Sequence, residues 1–171
     1  MVASDLYFVD PNPIPGQEGA ERGVRLEVRL LERGPLTGTI YAARPIVIDR
    51  PVWRADLLGS ASGPAGNLDR AHHHPRFDDW NPGARVFGEE LSADPLKWVA
   101  GRLSDLDGLL AEAGVPGGQA GPNDPAQLRS AVPDIMAAVH RLLDGVAKGE
   151  LAVPPAEAAS GQLTSARVSW L

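Results

Sequence analysis

Apolar and polar positions alternate most cleanly at residues 24–31, where Val24, Leu26, Val28 and Leu30 are separated by Arg25, Glu27 and Arg29. A period of two predicts a strand with one buried and one wet face. A shorter strand is expected at 5–9, followed by a Pro- and Gly-rich loop over 10–23. Gly34-Pro35 turns the chain into a second candidate strand at 36–42, which makes a hairpin with 24–31. Pro45 and Pro51 bracket Ile46-Val47-Ile48, and a further strand follows at 52–58. There Val52, Arg54 and Asp56 point one way and Trp53, Ala55 and Leu57 the other. Proline at these places favours a sheet edge or a strand start.

The period changes after residue 94. Asp94-Pro95 reads as an N-cap with Pro at the first helical position. Leu96, Val99, Ala100, Leu103, Leu106, Leu110 and Ala113 then recur at helical spacing. Gly101 and Ser104-Asp105 divide this run into two short helices, with Ser104 and Asp107 as a capping box. Residues 114–123, rich in Gly and Pro, predict a mobile connection. Asp124-Pro125 repeats the cap signal before one apolar stripe from Leu128 to Val146, with Pro133 a kink or break. Residues 150–161 read as loop. Thr164, Ala166, Val168 and Trp170 alternate with polar positions and predict a closing strand within 162–171.

Strands first and helices afterwards is an α+β pattern. The expected fold is a mostly antiparallel β-sheet, from the N-terminal half plus the closing strand, with two to four helices packed on one face. A chain of 171 residues suits a single domain over 1–171, mainly β over 1–90 and helical over 91–150. Its 43% hydrophobic and 22% charged residues can build a core without disulfides.

The absence of Cys excludes disulfides, thiolate nucleophiles and Cys-ligated zinc. A formal charge of −6 disfavours nonspecific binding to nucleic acid. Residues 44–87 are the only net-positive third and hold three of the four His. No segment approaches the ~18 apolar residues of a membrane span. The first residues lack a basic and apolar leader pattern, so a soluble, cytoplasmic protein is expected. No nucleotide cofactor is expected, because the phosphate-binding Gly motifs are absent.

The candidate chemistry lies in His72-His73-His74-Pro75-Arg76-Phe77-Asp78-Asp79-Trp80, after a long loop over 59–71. In an extended segment His72 and His74 share a side and His73 faces away. A His-x-His pair can chelate a divalent transition metal such as zinc, with further ligands from Asp56, Asp69, Asp78, Asp79 or His140. Imidazole also titrates near neutral pH, so His72, His73 and His74, with Asp56, form a candidate catalytic acid–base set. Arg54, Arg70 and Arg76 are candidate substrate-binding residues for a phosphate or carboxylate. The blander alternatives are a solvated or hydrogen-bonded His loop pinned to the core by Phe77 and Trp80, and a structural Arg54–Asp56 ion pair. Gly59-Ser60-Ala61-Ser62-Gly63 reads as a flexible linker.

The block Asp69-Arg70-Ala71-His72-His73-His74-Pro75-Arg76-Phe77, with Trp80, Pro82 and Phe87, resembles a signature of uncharacterised small actinobacterial proteins without an assigned activity. The order Arg54-x-Asp56, His72–His74 and a helical segment at 95–113 is also similar to TumE-type toxins of toxin–antitoxin modules. That resemblance departs in the longer 59–71 loop and in the added residues 114–171. It implies a ribonuclease-like toxin with RNA as substrate. Three readings stand side by side: a His/Arg-based hydrolase, a non-catalytic module that contacts a protein partner, and a cupin-like metal-binding domain.

Overall fold

The computed structural model describes residues 1–31 and 48–155. Four strands form one antiparallel sheet in chain order: β1 (Val2–Val9), β2 (Ala20–Leu31), β3 (Ile48–Ser60) and β4 (His72–His74). A small antiparallel ribbon follows, β5 (Phe77–Asp78) with β6 (Asn81–Pro82). Then come four helices, α1 (Glu89–Ala93), α2 (Pro95–Ser104), α3 (Leu106–Glu112) and α4 (Asp124–Ala147). The fold is α+β, as the change of period predicts. The candidate strand at 36–42 and the closing strand within 162–171 lie outside the described residues.

One face of the sheet carries the core. Val24, Leu26, Trp53, Ala55 and Leu57 are fully buried there against Val99, Leu103, Leu109 and Val139 of the helices. Val28 packs at the margin of this cluster, half-buried. The alternation at 24–31 thus selects Val24, Leu26 and Val28 as inward, whereas Leu30, within the register irregularity of β2 with β3, is half-buried and outside this cluster.

The opposite face is not wet. Glu21, Glu27 and Asp56 are buried on it. Glu27 and Asp56 are met across strands, Glu21 is met by Arg85, and residues 75–88 fold back over them. Arg85 donates to Glu21 and Asp10, Phe77 lies 5.0 Å from the Arg54 guanidinium, and Trp80 lies 5.6 Å from that of Arg29. Phe77 and Trp80 therefore cover the polar face rather than pin a loop to the core.

Strand lengths differ from the sequence pattern at both ends. β2 begins at Ala20, inside the expected loop. Gly23 permits this, because a Cβ there would collide with the Leu57 carbonyl of β3. Pro51 lies within β3, at a register irregularity opposite Arg29 and beyond the stretch that β4 pairs. Among the described residues, β3 is locally an edge there.

Gly59 and Ser60 extend β3, so Gly59–Gly63 is not a linker. The remaining turn is tied down by Ser60 N–H to Asp69 Oδ1 (2.9 Å), Arg70 N–H to the Leu58 carbonyl (3.0 Å) and Asn67 N–H to the Pro64 carbonyl (3.2 Å).

Helix boundaries follow local chemistry. Asp94 caps α2 by accepting from Lys97 N–H at 3.0 Å, with Pro95 beginning the helix. The cap of α3 is Asp105, accepting from Gly108 N–H at 3.1 Å. Ser104 instead donates its hydroxyl to the Ala100 carbonyl, so the expected Ser104–Asp107 box does not form. At the end of α3, Val115 N–H reaches the Leu110 carbonyl and Gly114 N–H the Ala111 carbonyl. Gly114 adopts φ 70°, the left-handed turn this ending requires. α4 runs through Pro133 without a break. The short α1 has one buried residue, Leu91, and too few turns to leave a periodic signal.

Candidate functional site

The three histidines form a strand, not a solvated loop. None is wet: His72 is 1% exposed, and His73 and His74 are 6% exposed. β4 pairs with β3 on one side. On the other side, His73 exchanges both backbone bonds with Val86 (3.0 and 2.9 Å). With β4 flanked on both sides, the imidazoles project above and below the sheet into covered space.

Register assembles the polar face. Arg25 of β2, Asp56 of β3 and His72 of β4 lie in one cross-strand row; Glu27, Arg54 and His74 form the next. Directly opposed side chains are close enough to pair, whereas i and i+2 on one strand are farther apart. Arg25 therefore grips Asp56 with two bonds (Nε to Oδ1 at 2.7 Å, a terminal nitrogen to Oδ2 at 3.0 Å). Arg54 bonds Glu27 at 2.8 and 3.0 Å. The expected Arg54–Asp56 pair along the strand is thus replaced by two pairs between strands.

His72 and His74 converge on Asp56. Their Nε2 atoms lie 3.4 and 3.6 Å from Asp56 Oδ2. His72 Nδ1 lies 2.8 Å from the Arg70 carbonyl and His74 Nδ1 2.7 Å from the Gly83 carbonyl. A carbonyl only accepts, so each Nδ1 carries the proton. In the neutral ring this leaves the Nε2 lone pair turned toward a carboxylate oxygen.

The spacing is longer than the roughly 2.7–2.9 Å of a charge-assisted hydrogen bond. It matches two ligands on one ion: bonds of about 2.1 Å at a tetrahedral angle put ligand atoms about 3.4 Å apart. The ligand atoms of Asp56, His72 and His74 all lie within 4.8 Å of one another, the one such group among the described residues. Burial alone raises the Asp56 carboxyl. Hydrogen bonds that His72 and His74 donate from Nε2 when doubly protonated, together with the paired Arg25 guanidinium, outweigh it and hold the carboxyl well below its usual range. Phe87 (5.5 Å from the His72 ring) and Phe77 (6.5 Å from the His74 ring) flank the cluster.

The other candidates are dispersed. Of the three candidate arginines Arg54, Arg70 and Arg76, only the Arg54 side chain adjoins the cluster. Arg70 lies 3.8 Å from Asp69, and the exposed Arg76 donates to the Glu112 carbonyl at the end of α3. Asp69 accepts from Ser60 N–H, Asp78 and Asp79 are exposed, and His140 is exposed on α4. Arg25 is the functional residue that the sequence reading missed. Its signal is the order Arg25-x-Glu27 set against Arg54-x-Asp56, which is complementary when the strands run antiparallel.

His73 belongs to the core side. Its ring meets Trp98 edge-on at 4.8 Å and Trp53 at 6.4 Å. Burial, then the Arg102 charge, pulls its pKa from the ordinary 6.5 to about 4. Between these values the unfolded chain binds a proton that the folded chain refuses. The stabilising contribution is therefore complete above pH 6.5 and is lost as pH falls toward 4. Denaturant unfolding at several pH values should show His73→Phe losing less stability than wild type across that window. Equal losses in both proteins would contradict this placement.

No protein-family model, curated protein or solved structure matches this chain.

Proposed function

We propose that the chain is a divalent transition-metal protein with Asp56, His72 and His74 as its protein ligands and a hydrolytic reaction at the ion. The observation that carries this reading is the pair of imidazoles whose Nδ1 atoms bond backbone carbonyls while both Nε2 atoms converge on Asp56 Oδ2. Backbone carbonyls that fix the ring and its tautomer are a usual outer shell of metal-binding His.

Two nitrogens and one carboxylate without thiolates suit zinc as the first choice. Three protein ligands leave a position open, as in catalytic sites, where such an ion supplies an activated water near neutral pH. The protein's own part is to hold the ligands, to keep Asp56 ionised through Arg25, and to limit water through Phe77 and Phe87. In this reading His72 and His74 are ligands rather than proton carriers. An RNA substrate draws no support from the acidic net charge.

The test is elemental analysis of untagged protein, followed by zinc titration of the stripped protein monitored by thermal unfolding. Zinc at 100 times its Kd should add about 2.7 kcal/mol of stability. The gain should vanish in Asp56→Asn and His72→Ala and persist in His73→Phe, whose ring lies on the other side of β4. It should also weaken in acid, because an imidazole nitrogen must be unprotonated to hold the ion. Protein with only traces of any transition metal and no thermal response to zinc would overturn the reading.

A further inference from the structure

Asp56 and His72 are 1% exposed and His74 is 6% exposed, so an ion reaches them only when their cover moves. That cover is residues 75–88. They supply Phe77, 6.5 Å from the His74 ring, and Phe87, 5.5 Å from the His72 ring.

The covering segment is weakly seated. Not one of residues 75–88 is itself buried, and only Pro75, Phe77 and Arg85 are half-buried. Segments with few buried apolar contacts open at the least free-energy cost, well before a packed core does. β5 pairs with β6, and Gly83 N–H bonds the Arg76 carbonyl at 2.9 Å, so the two arms are tied and move together.

Its deepest anchor is Arg85. One guanidinium nitrogen bonds both Glu21 carboxylate oxygens at 3.1 and 3.4 Å, and another bonds Asp10 at 3.1 Å. Glu21 is 1% exposed, and Arg85 is its one ion-pair partner among the described residues. A buried pair is screened less than an exposed contact such as Arg76 on the Glu112 carbonyl. The segment also acts on the site itself. The Gly83 carbonyl accepts from His74 Nδ1 at 2.7 Å, so seating the segment aims Nε2 at Asp56.

We propose that residues 75–88 are a strap that lifts off the polar face as a unit to admit a divalent cation, with Arg85 on Glu21 as the latch that sets the rates of ion entry and release. The gating role rests on the metal reading above; the opening itself does not.

Hydrogen exchange of the metal-free full chain reads the opening without any ion. Val86 and His73 exchange backbone bonds across the seam between strap and β4, so their amides report it. Both should exchange at least roughly tenfold faster than the central β2 amides of Val24 and Leu26. Arg85→Met should speed them by a further factor of about ten or more, the worth of a hydrogen bond to a charged group. Val139→Ala, which loosens the core on α4 and touches neither strap nor site, should speed the β2 amides and leave Val86 and His73 unchanged. Stopped-flow zinc uptake, and zinc release to a chelator, should both accelerate by one common factor in Arg85→Met. Kd should stay nearly constant, because the latch is made with and without the ion. Strap amides that exchange no faster than those of β2, or that are indifferent to Arg85→Met, would overturn the proposal, as would zinc rates equal in both proteins. Wild type that binds no zinc would overturn the metal reading and with it the gating role, while exchange at Val86 and His73 still decides the opening.

Discussion

Trp53→Ala should cost about 3–5 kcal/mol, the range for emptying a large aromatic site in a packed core. Trp53 is fully buried at the centre of β3 and supports both Trp98 and His73. Few domains are stabilised by more than about 5–15 kcal/mol, so this loss approaches unfolding. Trp53→Phe separates volume from polarity. The indole Nε1 has no hydrogen-bond partner among the described residues, so phenylalanine removes an unmet donor while keeping most of the packing. It should cost less than about 2 kcal/mol. The check is urea unfolding of both variants. A loss under about 1 kcal/mol in Trp53→Ala would mean that the centre of the core lies elsewhere.

Asp56→Ala should destabilise the metal-free protein by about 3 kcal/mol, toward the lower end for breaking a buried ion pair. The lower end applies because Arg25, left without its carboxylate, is 25% exposed and recovers some hydration. A double-mutant cycle isolates the pair. Arg25→Met alone strands the buried carboxylate, and adding it to Asp56→Ala should cost much less than the sum of the two single losses. Additive losses would show that Arg25 and Asp56 do not act together. A loss below about 1 kcal/mol for Asp56→Ala would show that the carboxylate is not held as described.

These two residues are neighbours in kind as well as in sequence. Trp53 and Asp56 lie on opposite faces of β3, and the period-two pattern alone assigns them so. Local order of this sort is legible because it depends only on backbone geometry. The same holds for the Asp94-Pro95 start of α2, where a side-chain acceptor and a fixed φ act within four residues. It holds too for the separation of His73 from His72 and His74. The sequence by itself thus determined the α+β class, the inward positions Val24, Leu26, Trp53, Ala55 and Leu57, and the common side of His72 and His74.

What it could not determine is which segments meet. The alternation at 24–31 shows a polar face but not its cover, and polarity was read as exposure. Tertiary structure decided that residues 75–88 lie over that face, so Glu27 and Asp56 are buried and must be paired. Pairing of β2 with β3 chose Arg25 rather than Arg54 as the partner of Asp56, because side chains opposed across strands approach more closely than neighbours two apart along one. Register is set by the summed burial of both strands and by the turn between them. Arg25 and Asp56, 31 residues apart, carry no local trace of their contact. The His triplet followed the same rule: its alternation was local, but its burial depended on β3 on one side and Val86 on the other.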